Sequence, residues 1–165
     1  MKKKGSKNTT PKLNSDKKTE VENLKANYQD SNFPIVAIGA SAGGLEALTA
    51  FFTNMESGNN IAFVVIQHVE HSHKSLLPEL LQKCTNIPVS EIANELPLRP
   101  ENIYVKTTDQ DISIIDGEFR LSVPDSPLNP RFSIDFFLRS LAFEKQEKSI
   151  CIIMSGAGSD GAFGS

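Results

Sequence analysis

Cysteine is scarce in this chain: only Cys84 and Cys151 occur, far apart, the second in an apolar run. Two thiols so placed build neither a disulfide framework nor a metal cluster, and they fit a reducing cytoplasm. Long apolar runs are missing too. Nothing approaches the roughly 20 consecutive apolar residues of a membrane-spanning helix. No apolar stretch behind the N-terminal lysines is long enough for a secretory signal. The sequence therefore predicts a cytoplasmic protein without membrane insertion. Basic charge is also lacking where a nucleic-acid face would need it. Residues 1–32 hold eight lysines against Asp16, Glu20, Glu22 and Asp30, a net +4; with a total of −3, the remaining residues carry −7. An acidic body argues against nucleic acid as a partner.

The 165 residues suffice for one ordinary domain with a real core. Residues 1–32 are rich in Lys, Asn, Ser and Thr with scattered apolar side chains. Such a segment cannot repay the entropy of ordering and reads as a disordered polar tail. The folded domain is expected over 33–165.

From Phe33 onward strand-like and helix-like segments alternate. PIVAI (34–38) and IAFVVI (61–66) are continuous apolar runs of the kind buried on both faces of a parallel sheet. The spacing predicts a helix from about Gly43 to Asn54, and another across 74–83 with Leu76, Leu77, Leu80 and Leu81 facing inward. Short strands are expected near 88–92 and 102–106. Asp116-Gly117 between the β-rich runs of 111–123 predicts a type I′ hairpin. The three prolines of 124–131 imply a loop. Ser133 opens a helix with Asp135 in its first turn and Ile134, Phe137, Leu138 and Leu141 on one face. SICIIMS (149–155) is a last buried strand. Phe51-Phe52 and the Phe136-Phe137-Leu138 cluster are expected in the core. Repeated strand–helix–strand units imply an α/β fold: a doubly wound, mostly parallel sheet in three layers, carrying an antiparallel hairpin.

Sites of open α/β sheets lie at the carboxyl ends of the strands. Three apolar strands here run into chemically capable residues: Ser41 after the first, His68 after the second, and Asp160 in the glycine-rich loop after the last. Serine is a weak nucleophile until an imidazole accepts its proton, and a carboxylate is needed to fix that imidazole. Gly39-Ala40-Ser41-Ala42-Gly43 also fits the Gly-x-Ser-x-Gly elbow on a strand-to-helix turn, where helix-terminal amides can receive an oxyanion. The order Ser, His, Asp departs from the Ser, Asp, His order of α/β-hydrolases, which counts against that fold family and not against the chemistry.

Other readings of the same residues are weaker. A dinucleotide loop wants glycine at position 41 and an acidic residue at the end of the next strand, where Gln67-His68 stands. No nucleotide or other cofactor is therefore expected. His71 and His73 lie near His68, but no further ligands support a metal site. Asp160 between serine and glycine is also ordinary turn chemistry, and Gly156, Gly158 and Gly161 can serve only to shape the bend. Arg131 and Arg139 read as solvated surface.

Taken together, IGASAGGLEAL, VVIQHVEHSHKSLLPELL, LRPENIYV, PRFSIDFFLRSLA and IIMSGAGSDGAFG, in this order, give a specific match. From about Phe33 to its end the chain resembles the catalytic domain of the chemotaxis-type protein-glutamate methylesterases, the CheB family. The wording of the last two stretches looks closest to members fused to a methyltransferase domain. The resemblance implies hydrolysis of glutamyl methyl esters on a receptor, with release of methanol, and deamidation of certain glutamines. It puts the nucleophile at Ser41, the base at His68 and the orienting carboxylate at Asp160. It puts the oxyanion donors at the backbone amides of Ala42 and Ala157, the latter where chemotaxis members often carry methionine. Compared with the family pattern the chain stops early, five residues after Asp160. A C-terminally truncated catalytic domain is the expectation, with an inactive or regulatory interaction module as the competing one.

Overall fold

The computed structural model describes residues 33–40, 44–67, 75–124, 133–154 and Gly164. The chain divides after Ser31 into two units, and every described residue belongs to the second. The expected polar tail, 1–32, and most of the proline-rich loop therefore lie outside the described residues.

A five-stranded parallel sheet carries the described fold. In chain order its elements are β1 (Ile35–Ala40), α1 (Leu45–Thr53), β2 (Ala62–Gln67), α2 (Leu77–Gln82), β3 (Val89–Glu91) and β4 (Asn102–Val105). The hairpin β5 (Asp111–Ile115) and β6 (Glu118–Ser122) follows, then α3 (Ser133–Lys145), a short 3-10 turn (Gln146–Lys148) and β7 (Ser149–Met154). Strand order in the sheet is β3-β4-β2-β1-β7. The chain thus lays β2, β3 and β4 on one side of β1, with β4 filling the place between β2 and the edge strand β3, then returns to add β7 on the other side. In a doubly wound sheet that reversal marks the crevice where ligands bind, outside the carboxyl ends of the strands.

Alternation along the strands sorts the core into two layers. Val36, Ile38, Ala40, Phe63, Val65, Ile103 and Val105 face α1 and α2, where Leu48, Phe52, Leu77 and Leu81 are buried. Ile35, Ala37, Val64, Ile66 and Tyr104 face the opposite way, onto α3 and the hairpin through Phe137, Leu138, Leu141, Ile112 and Phe119. Phe51, Phe52 and Phe63 meet edge to face, with ring centroids 5.1 to 6.1 Å apart. Polar contacts lock α3 to the hairpin: the Ile114 N–H donates to Ser140 Oγ at 2.7 Å, and the Gly117 N–H donates to Glu144 Oε1 at 3.1 Å.

The α/β class, the layering and the hairpin match the sequence expectation. Asp116 and Gly117 have φ of 52° and 75°, as a type I′ turn requires, with Ile115 paired to Glu118. Four details differ. Pro78 sits at the start of α2, so the helix begins late; Leu76 is left outside it and exposed, and Leu80 turns outward while Leu77 and Leu81 are buried. Phe136 is exposed beside its buried neighbours Phe137 and Leu138. Phe51 is only half-buried, packed against the core edge. Finally, β7 is not a fully buried strand: β1 is its one partner among the described residues, and Ile150 and Ile153 are 45% and 47% exposed.

Candidate active site

Continuous apolar sequences make β1 and β2 interior strands, and their hydrogen-bonded register fixes how they end. Ala40, the last residue of β1, is paired with Gln67, the last of β2, and with Met154, the last of β7. Three parallel strands therefore stop level with one another. Neighbouring strands in a sheet lie about 4.8 Å apart, so the chain leaves the sheet at three adjacent points along one edge.

Two close contacts shape that edge. Gly44 caps the N-terminus of α1 in ordinary right-handed backbone (φ −76°), so glycine is not required there for its torsion angles. It is required for space: a Cβ at position 44 would lie 2.6 Å from Ala40 Cβ. The helix therefore starts directly over the end of the strand. Gly39 likewise sits inside β1 rather than in a bend. A Cβ on it would meet Ile153 Cδ1 at 3.0 Å and Ile134 Cγ2 at 3.1 Å. The first turn of α3 thus closes over the end of β1 from the other face. The first glycine of the elbow pattern is there to admit α3 and β7.

Ser41, Ala42, His68, Ala157 and Asp160 all lie outside the described residues, as do His71, His73, Arg131, Gly156, Gly158 and Gly161. The structure does bring together the strand ends from which the first five continue. Ser41 is the next residue after Ala40, His68 the next after Gln67, and Asp160 follows Met154 by six residues. Arg139 is exposed, as expected of a solvated arginine.

Two ionisable residues near this edge were not singled out as site candidates by the sequence. Asp135, in the first turn of α3, is buried at 4% exposure, and its Oδ1 accepts a hydrogen bond from the Gly164 N–H at 2.7 Å. Lys106 follows β4, is 6% exposed and donates from Nζ to the Thr108 carbonyl at 2.7 Å. The sequence signal for Lys106 is a lysine continuing the apolar run NIYV; for Asp135 it is only a carboxylate where a helix dipole welcomes one. Cys151, on β7, is held as a neutral thiol: burial, and secondarily the charge of Asp135, push its pKa up. It is thus a poor nucleophile at neutral pH. Among the described residues no three His, Cys, Asp or Glu side chains group as metal ligands.

The sequence model of the CheB methylesterase family matches residues 36–165. A protein-glutamate methylesterase/protein-glutamine glutaminase of Burkholderia lata is 32% identical over 134 residues, covering 79% of this chain and 39% of the relative. Its counterpart of the same name in Bacillus subtilis is 29% identical over 134 residues, covering 79% and 38%. The chain therefore spans about two fifths of the length of these relatives. Among solved structures, the Thermotoga maritima CheB methylesterase catalytic domain superposes with a TM-score of 0.72 at 27% identity, covering 80% of this chain and 72% of that one. With a doubly wound parallel sheet, and a family match reaching from β1 to the last residue, the chain belongs to the CheB methylesterase family.

Proposed function

We propose that this chain is a serine esterase that hydrolyses γ-glutamyl methyl esters on a receptor-like signalling protein. The observation that supports the reading is the common register of Ala40, Gln67 and Met154: the three strands that Ser41, His68 and Asp160 follow in sequence end side by side. The names of the relatives supply the ester and the glutamine as substrates.

In this mechanism Ser41 Oγ attacks the ester carbonyl carbon while His68 takes its proton. The oxyanion is received by the backbone amides of Ala42 and Ala157. Asp160 holds the imidazole in the productive tautomer and stabilises its charged form. The tetrahedral intermediate collapses with cleavage of the carbon–methoxy bond, and His68 returns the proton to the departing methoxy oxygen, releasing methanol. A water molecule then attacks the acyl-enzyme, again giving its proton to His68, and the glutamate and free Ser41 are regenerated. With a glutamine side chain the same steps release ammonia. No step needs a cofactor or metal.

The functional unit is the domain from residue 33 onward, working in the cytoplasm, preceded by a polar tail and joined in the parent protein to a methyltransferase domain. No described helix is long and apolar enough to cross a membrane. The test is methanol release from methyl-labelled receptor membranes, comparing the chain with Ser41→Ala. Loss of several orders of magnitude is expected in the variant. Equal release from both would remove Ser41 as the nucleophile.

A further inference from the structure

Asp135 and Gly164 are 29 positions apart, yet Asp135 Oδ1 accepts the Gly164 N–H at 2.7 Å. Steric fit adds to it. A Cβ at position 164 would lie 2.8 Å from Leu138 Cβ and 3.0 Å from both Cα and the carbonyl oxygen of Asp135. These are backbone and Cβ atoms of a helix and cannot swing aside, so only glycine fits against this turn of α3.

The contact sets a boundary on the loop that follows β7. At one end the chain is held at Met154 by the ladder to Ala40. At the other it is held at Gly164 by Asp135. Asp160 lies between these anchors, four residues from the second. The helix that provides the second anchor is itself fixed to the same sheet edge, since Ile134, the residue before Asp135, packs over Gly39 of β1. One helical turn therefore touches β1 two residues before Ser41 and the loop four residues after Asp160.

We infer that Asp135 is a positioning residue for the hydrolysis: its latch on Gly164 sets the reach of the loop that presents Asp160 to His68. The inference rests on the assignment of Ser41, His68 and Asp160 proposed above. Asp135 acts through Asp160 and does not touch the reacting atoms.

The test is a double-mutant cycle on the full chain, read as kcat and KM for methanol release from methyl-labelled receptor membranes, with thermal melts of every variant. Asp135→Ala is expected to lower kcat roughly tenfold or more, with KM within about twofold, at a temperature where its melt shows it folded. In an Asp160→Ala background the same substitution is expected to change kcat less than about twofold, because the group it positions is gone. Equal losses in both backgrounds would reveal a general folding role and overturn the inference, as would an unchanged kcat or a rise in KM alone. If Asp135→Ala does not fold, Asp135→Asn and Gly164→Ala decide. Asparagine keeps an acceptor oxygen and should hold kcat within about fivefold, while Gly164→Ala should lose about tenfold or more, and only when Asp160 is present. The reverse ranking would overturn it. The triad reading fails separately and earlier, if Asp160→Ala alone leaves kcat unchanged; the inference then falls with it.

Discussion

Gly44 lies so tightly over Ala40 that a Cβ on the glycine would come within 2.6 Å of the alanine Cβ. The end of β1 and the cap of α1 are therefore in close contact, with Ser41, Ala42 and Gly43 joining them in the sequence. Both sides of that contact are stiff. Gly44→Ala is expected to cost about 1–3 kcal/mol, the usual range for overpacking. Because the relief must come from the connection carrying Ser41, kcat should fall more steeply than the stability loss alone explains. Chemical denaturation and methanol release measure the two effects. Adding Ala40→Gly, which removes the colliding methyl, should recover at least about half of the lost kcat; no recovery would show that the contact does not govern the turn.

Phenylalanines on one helix give the second prediction. Phe137 is fully buried between α3 and the sheet, whereas Phe143, six residues later, is 85% exposed. Phe137→Ala should destabilise by about 3–5 kcal/mol through lost transfer energy and a cavity. Phe143→Ala should stay within about 0.5 kcal/mol of the parent. Urea unfolding of both variants checks the pair, and similar losses in both would mean that α3 is turned differently on the sheet.

How far the sequence could be read follows from the range of the interactions involved. Ile35–Ala40 and Ala62–Gln67 are apolar without interruption because both faces of an interior parallel strand are buried, so local composition reveals them. Asp116-Gly117 reveals the hairpin because both residues tolerate positive φ. The leucines of α2 misled, since counting apolar residues ignores where Pro78 starts the helix. The status of β7 as a half-exposed strand depends on how many neighbours it has, which no local pattern encodes. At the candidate site, the strands that Ser41, His68 and Asp160 follow in sequence were legible. The common register of Ala40, Gln67 and Met154 was not, nor was the Asp135–Gly164 bond, because both join segments distant in sequence. Gly39 was legible as a necessary glycine, but for the wrong reason: its partners Ile134 and Ile153 come from elements about a hundred residues later.

The hairpin turn supplies a third prediction. Gly117 has φ of 75°, and its N–H is held by Glu144 of α3 at 3.1 Å, so the turn is both a backbone constraint and a docking point. Gly117→Ala forces an L side chain into left-handed backbone, at about 1–2 kcal/mol. Glu144→Gln keeps the shape of the acceptor and should cost less than about 1 kcal/mol, because a half-exposed carboxylate loses little when solvent already screens it. Hydrogen exchange of the β5 and β6 amides should quicken clearly in the first variant and only slightly in the second. The opposite order would assign the turn's stability to Glu144 rather than to glycine.

The last prediction concerns acid. At the end of the sheet away from the site, the Glu101 carboxylate accepts the N–H of Gly58 at 2.6 Å and that of Asn60, while the Glu101 N–H donates to the Ile61 carbonyl at 2.8 Å. Asn60 and Glu101 themselves have φ of 55° and 57°, an uncommon region for residues with a side chain, so this clip holds two strained residues in place. The hydrogen bond from Gly58 leads the causes that lower the Glu101 pKa below its ordinary 4.5, against a smaller opposing effect of burial. A carboxylate with a lowered pKa in the folded state binds its proton more readily when unfolded. Its contribution to stability is therefore complete above the ordinary value of 4.5 and is lost as pH falls through the lower folded value. Solvent screens a partly exposed group, so the contribution should stay below about 1 kcal/mol. Glu101→Gln should accordingly be less stable than the parent by a constant margin near neutral pH, with the two denaturation curves converging as the pH drops below 4.5. A margin that persists unchanged in strong acid would show that the side-chain shape, and not its charge, holds the 58–60 loop to the entrance of β4.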